Sequence, residues 1–281
     1  MIPAPVRIAW RALLRFFDHD GPDRAAAVAY YTLLSLLPLL IFVISMGVAL
    51  FGSFDAAYRG TLMLFGGLVV HMDQASLDTL RAFVERSVRF QWPGILLLAW
   101  TSRRVFASLL SALETVFEVP GRGIARGNLM ALTMVLTTGV GLLATLALVL
   151  VVATVEGLLL RFAPMEASLL KGLAALLLTR GLPVLITLGF FFIVYSVVPH
   201  RVMRARHALA GAVLATVLWE GAKAAFAYYV RSLAHYAGLY GALEGVIVLA
   251  LWLELSVSII LYCGEVVALL VPPARGAAPV D

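Results

Sequence analysis

One stretch limits this chain more than any other: the apolar run from Tyr240 to Ala268, interrupted by Glu244, Glu254 and Glu265. A helix needs roughly 20 apolar residues to cross a bilayer, and this run is long enough. Each carboxylate near the middle of such a helix costs on the order of 2.5–3.5 kcal/mol on insertion scales. A helix serving only as an anchor gains by losing them. Glu254 and Glu265 stand eleven residues apart. That is about three turns, which brings them within roughly 20° of one another on one face. Such a face is expected to look toward other helices or water.

Other apolar runs share the pattern. Of the 281 residues, 62% are hydrophobic and 13% charged, against about a quarter charged in soluble domains. The chain reads as an all-α polytopic membrane protein with six crossings, at about 25–51, 92–119, 128–160, 169–198, 208–230 and 242–270. Together they make one transmembrane domain, 27–270. The single cysteine, Cys263, excludes an internal disulfide framework and reads as an apolar packing residue. A net charge of +5 would suit nucleic acid, but the basic residues are spread over the connections between runs. Orientation by positive charge accounts for most of them, and no nucleic-acid partner is expected.

Residues 1–26 form an arm with Val6, Trp10, Leu13, Leu14 and Phe17 at helical spacing and arginines between. This predicts an amphipathic helix in the membrane interface, broken by Asp18-His19-Asp20-Gly21-Pro22. The connection 52–91 carries Asp73, Asp78, Arg81, Glu85, Arg86 and Arg89 around an apolar stripe of Leu77, Leu80, Val84 and Val88. It reads as a second amphipathic helix capped near Ser76, lying on the membrane or covering the bundle. Pro38 and Pro183 are expected to kink the first and fourth crossings. The tail 271–281 is expected to be disordered. Six crossings put both termini on one side. Ten Lys and Arg lie in the connections of that side against seven on the other, in shorter connections, which places the termini in the cytoplasm.

The ionisable residues inside the crossings carry the functional expectation. Glu220 and Lys223 are neighbours on a helix face. They read either as a local ion pair that the bundle tolerates or, with Glu254 and Glu265, as the lining of a polar route for substrate or protons. Arg103 and Arg104 either snorkel from a short crossing or belong to that route. Arg180, just before Pro183, either satisfies carbonyls freed by the break or binds an anionic headgroup. Leu37 to Ile41 resembles Leu182 to Ile186, a short hint of two inverted halves. No paired-histidine zinc spacing, nucleophile elbow or phosphate-binding loop is present, so neither catalysis nor a metal or cofactor is expected. Gly139-x-Gly141 and Gly241-x-x-x-Gly245 read as helix-packing surfaces.

Several stretches, in order along the chain, resemble the YihY/BrkB family of bacterial inner-membrane proteins. They are AVAYYTLLSLLPLL at 27–40, Phe106-x-x-Leu109-x-x-Ala112-Leu113, Tyr195 to Pro199, and Gly211-Ala212 through Leu218-Trp219 to Lys223-x-x-Phe226-x-x-Tyr229-Val230. Tyr240-Gly241-Ala242, Leu251-Trp252 and Gly264-Glu265 complete the set. The resemblance implies six transmembrane helices, an inner-membrane location, and Ser35, Pro38, Lys223 and Glu265 as shared positions. Glu114, Glu244 and Glu254 depart from the family pattern. Some relatives once carried a ribonuclease label, for which these residues offer no metal cluster or aromatic-studded basic groove. The expected function is movement of an amphipathic or anionic substrate, with membrane lipids as partners. The alternative is a non-transporting scaffold or partner subunit in envelope assembly. Self-association, and a periplasmic partner held by 52–91, are further expectations.

Overall fold

A computed structural model describes residues 4–55, 57–59, 78, 81–82, 84–86, 91–120, 123, 126–127, 129–134, 181–197, 204–233 and 243–271. Among them every regular element is helical: α1 (Ala4–Asp18), α2 (Gly21–Phe51), α3 (Gln91–Val116), α4 (Leu182–Val197), α5 (Ala205–Leu233) and α6 (Leu243–Leu270). Four segments are long and apolar enough to cross a membrane, namely Gly21–Ala49, Leu96–Val116, Ala205–Val230 and Gly245–Leu270. Pro183–Ser196 adds a shorter apolar helix. The chain is therefore an all-helical polytopic membrane protein. Most of the expected third crossing, the first part of the fourth with Arg180, the Ser76 cap, Gly139, Gly141, Gly241, Glu85's neighbours 87–90 and the tail beyond 271 lie outside the described residues.

The predicted break after α1 is a two-residue turn. His19 and Asp20 donate back to Arg15 O and Phe17 O at 2.9 and 3.1 Å. Asp20 takes a left-handed backbone, φ 54°, and Pro22 sits in the first turn of α2, where its missing N–H costs nothing. Gly21 is obligatory here, because a Cβ would fall 2.4 Å from the Phe16 ring. At the other end α2 closes on Gly52, φ 66°, whose N–H bonds Val48 O. The helix runs unbroken through Pro38. Pro183 lies in the first turn of α4.

In a bilayer, hydroxyls within a span need an internal acceptor. Thr32, Ser45, Thr101, Thr216 and Ser256 each donate to the carbonyl four residues earlier, at 2.6–2.9 Å. α2 packs along α3 and α6, α6 along α5, and α5 along α4, while α1 lies against α6. The N-termini of α2 and α5 and the C-termini of α3, α4 and α6 gather at one end.

Burial is concentrated at that end. On α5 the buried positions are Ala208, Gly211, Ala212, Ala215 and Thr216, and none follows. On α6 none precedes Ser256, and most from there to Ala268 are buried. Phe191, Val194 and Tyr195 of α4, and Leu109 to Val116 of α3, complete this core. Tyr195 spans it, its hydroxyl donating to Ile260 O at 2.9 Å. The glycines show the same gradient. A Cβ on Gly211 would meet Val267 at 2.1 Å and one on Gly264 would meet Val116 at 3.1 Å, whereas one on Gly189, Gly221 or Gly245 would meet no neighbour among the described residues. Among the described residues of α5 and α6 the close approaches are at Gly211 and Gly264. Among the described residues the bundle is tight at the terminal end and looser beyond its middle.

A second, smaller core joins Ile41 and Ile44 of α2 to Ala57, Tyr58 and Val84, so Val84 of the predicted stripe packs inward. Arg81 pairs with Asp55 and covers the Tyr58 ring at 5.9 Å. Burial raises the Tyr58 pKa above its ordinary value, while Arg81 pulls it down and Asp78 pushes it up.

Candidate functional site

Charged side chains occupy two kinds of place. The first is at the tight end. Glu265 is fully buried, and each of its oxygens has a partner: Arg15 Nε at 2.9 Å from Oε2 and His19 Nδ1 at 2.6 Å from Oε1. Arg15 also donates to Glu118 Oε1 at 2.6 Å and reaches Val116 O at 3.5 Å. Glu118 follows α3 in a left-handed conformation, φ 50°. Val119 N bonds Glu114 O and Glu118 N bonds Thr115 O, the hydrogen-bond pattern of a helix end that usually places glycine at that position. A left-handed residue other than glycine costs about 1–2 kcal/mol. Here it brings a carboxylate to Arg15, which glycine would not. Arg24 Nε fixes the turn by donating to His19 O at 2.8 Å.

This cluster ties α1, α3 and α6 together. Tyr262 adds a bond to Ala9 O at 3.3 Å. From Ala9 to His19 α1 advances about 15 Å, while α6 advances about 4.5 Å between Tyr262 and Glu265, so α1 crosses α6 obliquely. Ala12 and Phe16 turn toward the bundle; Val6, Trp10, Leu14 and Phe17 form an exposed apolar stripe, and Arg7 and Arg11 an exposed charged one. The sequence pattern located the stripe but not the third face, which docks on protein.

The second place is the loose half. Glu220 stands at the midpoint of α5, and Lys223 Nζ lies 2.7 Å from its Oε1. The approach is a charge contact, since Glu220 Oε1 has no partner of hydrogen-bond geometry. The side chains are 37% and 42% exposed. Beside them Trp219 and Phe226 pack on Trp252 of α6 at 5.3 and 5.0 Å, and Trp219 on Phe191 of α4 at 5.8 Å. Glu254, two residues from Trp252, is half-buried at the midpoint of α6. The structure therefore brings Glu220, Lys223 and Glu254 to one level on adjacent helices. Glu265 it places elsewhere, roughly 16 Å further along α6, taken up by Arg15 and His19.

Arg103 and Arg104 lie at the midpoint of α3, which packs mainly on α2, away from Glu220 and Lys223. Arg104 is exposed, with its guanidinium 5.5 Å from the Trp100 ring and 5.9 Å from the Tyr31 ring. Such contacts contribute about 0.5–2 kcal/mol each. An arginine at mid-membrane costs at least about 2.5–3.5 kcal/mol, and far more on an isolated helix. The rings soften that cost without cancelling it. Among the described residues no group of three His, Cys, Asp or Glu is arranged to hold a metal.

Comparison with known proteins fits this architecture. The family model described as virulence factor BrkB matches residues 12–278. The chain belongs to that family. Among its relatives, a UPF0761 membrane protein of Azotobacter vinelandii is 31% identical over 92% of this chain and 62% of its own length. One from Tolumonas auensis is 31% identical over 90% of this chain and 82% of its own. A third, from Alkalilimnicola ehrlichii, is 33% identical over 86% and 53%. The chain thus spans between about half and four fifths of these BrkB-family relatives. No solved structure matches it.

Proposed function

We propose that this BrkB-family protein moves an amphipathic, anionic substrate, with a membrane lipid as the leading class, through the loose half of its bundle. The observation that carries the reading is the half-exposed Glu220–Lys223 pair at the midpoint of α5. Two charges there are out of place against acyl chains. They suit a polar passage in which Lys223 attracts an anionic headgroup while Glu220 and Glu254 set the local charge. Trp219, Trp252 and Phe226 offer the apolar part of the substrate a surface. The tight end, closed by Tyr195 and the Glu265 cluster, is the floor of that passage. In this reading the protein is not an enzyme, sits in the bacterial inner membrane and keeps its termini in the cytoplasm.

The test is leaflet-to-leaflet movement of a labelled anionic phospholipid in liposomes holding the purified protein. Movement by the native chain, reduced at least tenfold by Lys223→Met, is expected. No movement by folded native protein rejects the reading. The second reading, a scaffold that works through envelope partners or self-association, is favoured by Glu265, a buried charge spent on holding helices together. It predicts a stoichiometric partner on crosslinking, held by 52–91, and no flux.

A further inference from the structure

We propose that Arg104, with Tyr31 and Trp100, forms a binding site for a phosphate-type oxyanion at mid-depth on the α2–α3 face. The proposal is separate from the Glu220–Lys223 passage and stands whether or not the protein moves lipid. Arg104 lies about twelve residues from either end of α3. Within the apolar span Leu96–Val116 it stands eight residues from one end and twelve from the other, about 12 and 18 Å at 1.5 Å per residue, in the middle third of the span. Its contacts among the described residues are two aromatic rings and no carboxylate. This contrasts with Arg15, which has two carboxylates, and with Lys223, which has one. Arg104 is an exposed residue whose guanidinium is steadied by the rings. Its planar set of N–H donors matches two oxygens of a phosphate better than an ammonium does. Leu96, Leu97 and Trp100 continue from Arg104 as an exposed apolar stripe on the same helix, which suits a phosphate carried on a lipid. A free phosphate would use the guanidinium alone.

The test measures retention of phosphatidylglycerol by the purified, delipidated protein in detergent, with a neutral glycolipid as control, and repeats it with inorganic phosphate as competitor. Native protein is expected to retain phosphatidylglycerol, Arg104→Gln to weaken it about tenfold, and Arg104→Lys to fall between, with glycolipid unchanged throughout. Displacement by millimolar phosphate assigns the site to a free oxyanion. Its absence assigns the site to the lipid. Unfolding curves in the same detergent show whether each variant is folded. The proposal is overturned if folded Arg104→Gln, or folded Arg104→Lys should the first variant not fold, binds both probes as the native chain does. It is equally overturned if glycolipid retention falls in parallel.

Discussion

The two halves of α5 and α6 are made from similar residues and behave differently. At the terminal end Gly211 meets Val267 and Glu265 meets Arg15 and His19. Gly221, ten residues on from Gly211, and Gly245, nineteen before Gly264, meet no neighbour among the described residues, and Glu220 and Lys223 remain partly exposed beside each other. A glycine or a charge in an apolar run therefore has no fixed meaning. Its role depends on how closely the neighbouring helix approaches. Where helices touch, the charge is partnered across helices, as at Glu265; where they stand apart, it is paired within its own helix, as at Glu220 and Lys223.

The largest expected effect sharpens the structural side of this contrast. Glu265→Ala leaves Arg15 and His19 without their shared acceptor, and breaking a buried pair costs on the order of 3–5 kcal/mol. Unfolding in detergent should show that loss. Limited proteolysis should then cut within α1, because the tie to α6 is gone. Glu265→Gln keeps the shape and one acceptor and should lose less. A Glu265→Ala protein as stable as the native chain, with α1 protected, would break the comparison.

Smaller shifts of opposite sign are expected from one substitution made twice on α5. Gly211→Ala forces a methyl against Val267 and should cost about 1–3 kcal/mol. Gly221→Ala meets no neighbour among the described residues and should gain up to about 1 kcal/mol from helix propensity. The pair is read from unfolding midpoints in the same detergent. Equal destabilisation at both sites would mean that the loose half is packed after all.

Much of the architecture was legible because it rests on local physics. Hydrophobic runs announce α2, α3, α5 and α6, and Asp18 to Pro22 announces the break before α2, since chain stiffness and apolar length act within one segment. The midpoint charges were equally visible. What the sequence hid was pairing between distant segments. Glu265 has partners 250 and 246 residues away in sequence, and hydropathy and helical spacing alone do not distinguish it from Glu254. Arg15 reads as part of an interfacial helix and His19 as part of the break that ends it. Two signals were available: a glutamate rather than glycine after α3, at 118, and a glycine beside Glu265, at 264, where α3 comes close. Neither names its partner without the fold.

The smallest expected effect is the most discriminating. Glu220→Gln with Lys223→Met removes a charge contact between side chains that are 37% and 42% exposed. Such pairs contribute about 0–1 kcal/mol, so stability should change by no more than that, in either direction. Loss of lipid movement without loss of stability would separate function from architecture at this pair, which no substitution at Glu265 can do. A loss comparable to that of Glu265→Ala would instead put Glu220 and Lys223 in the same class as Glu265, as charges that hold helices. The distinction between the two halves would then be one of packing density alone.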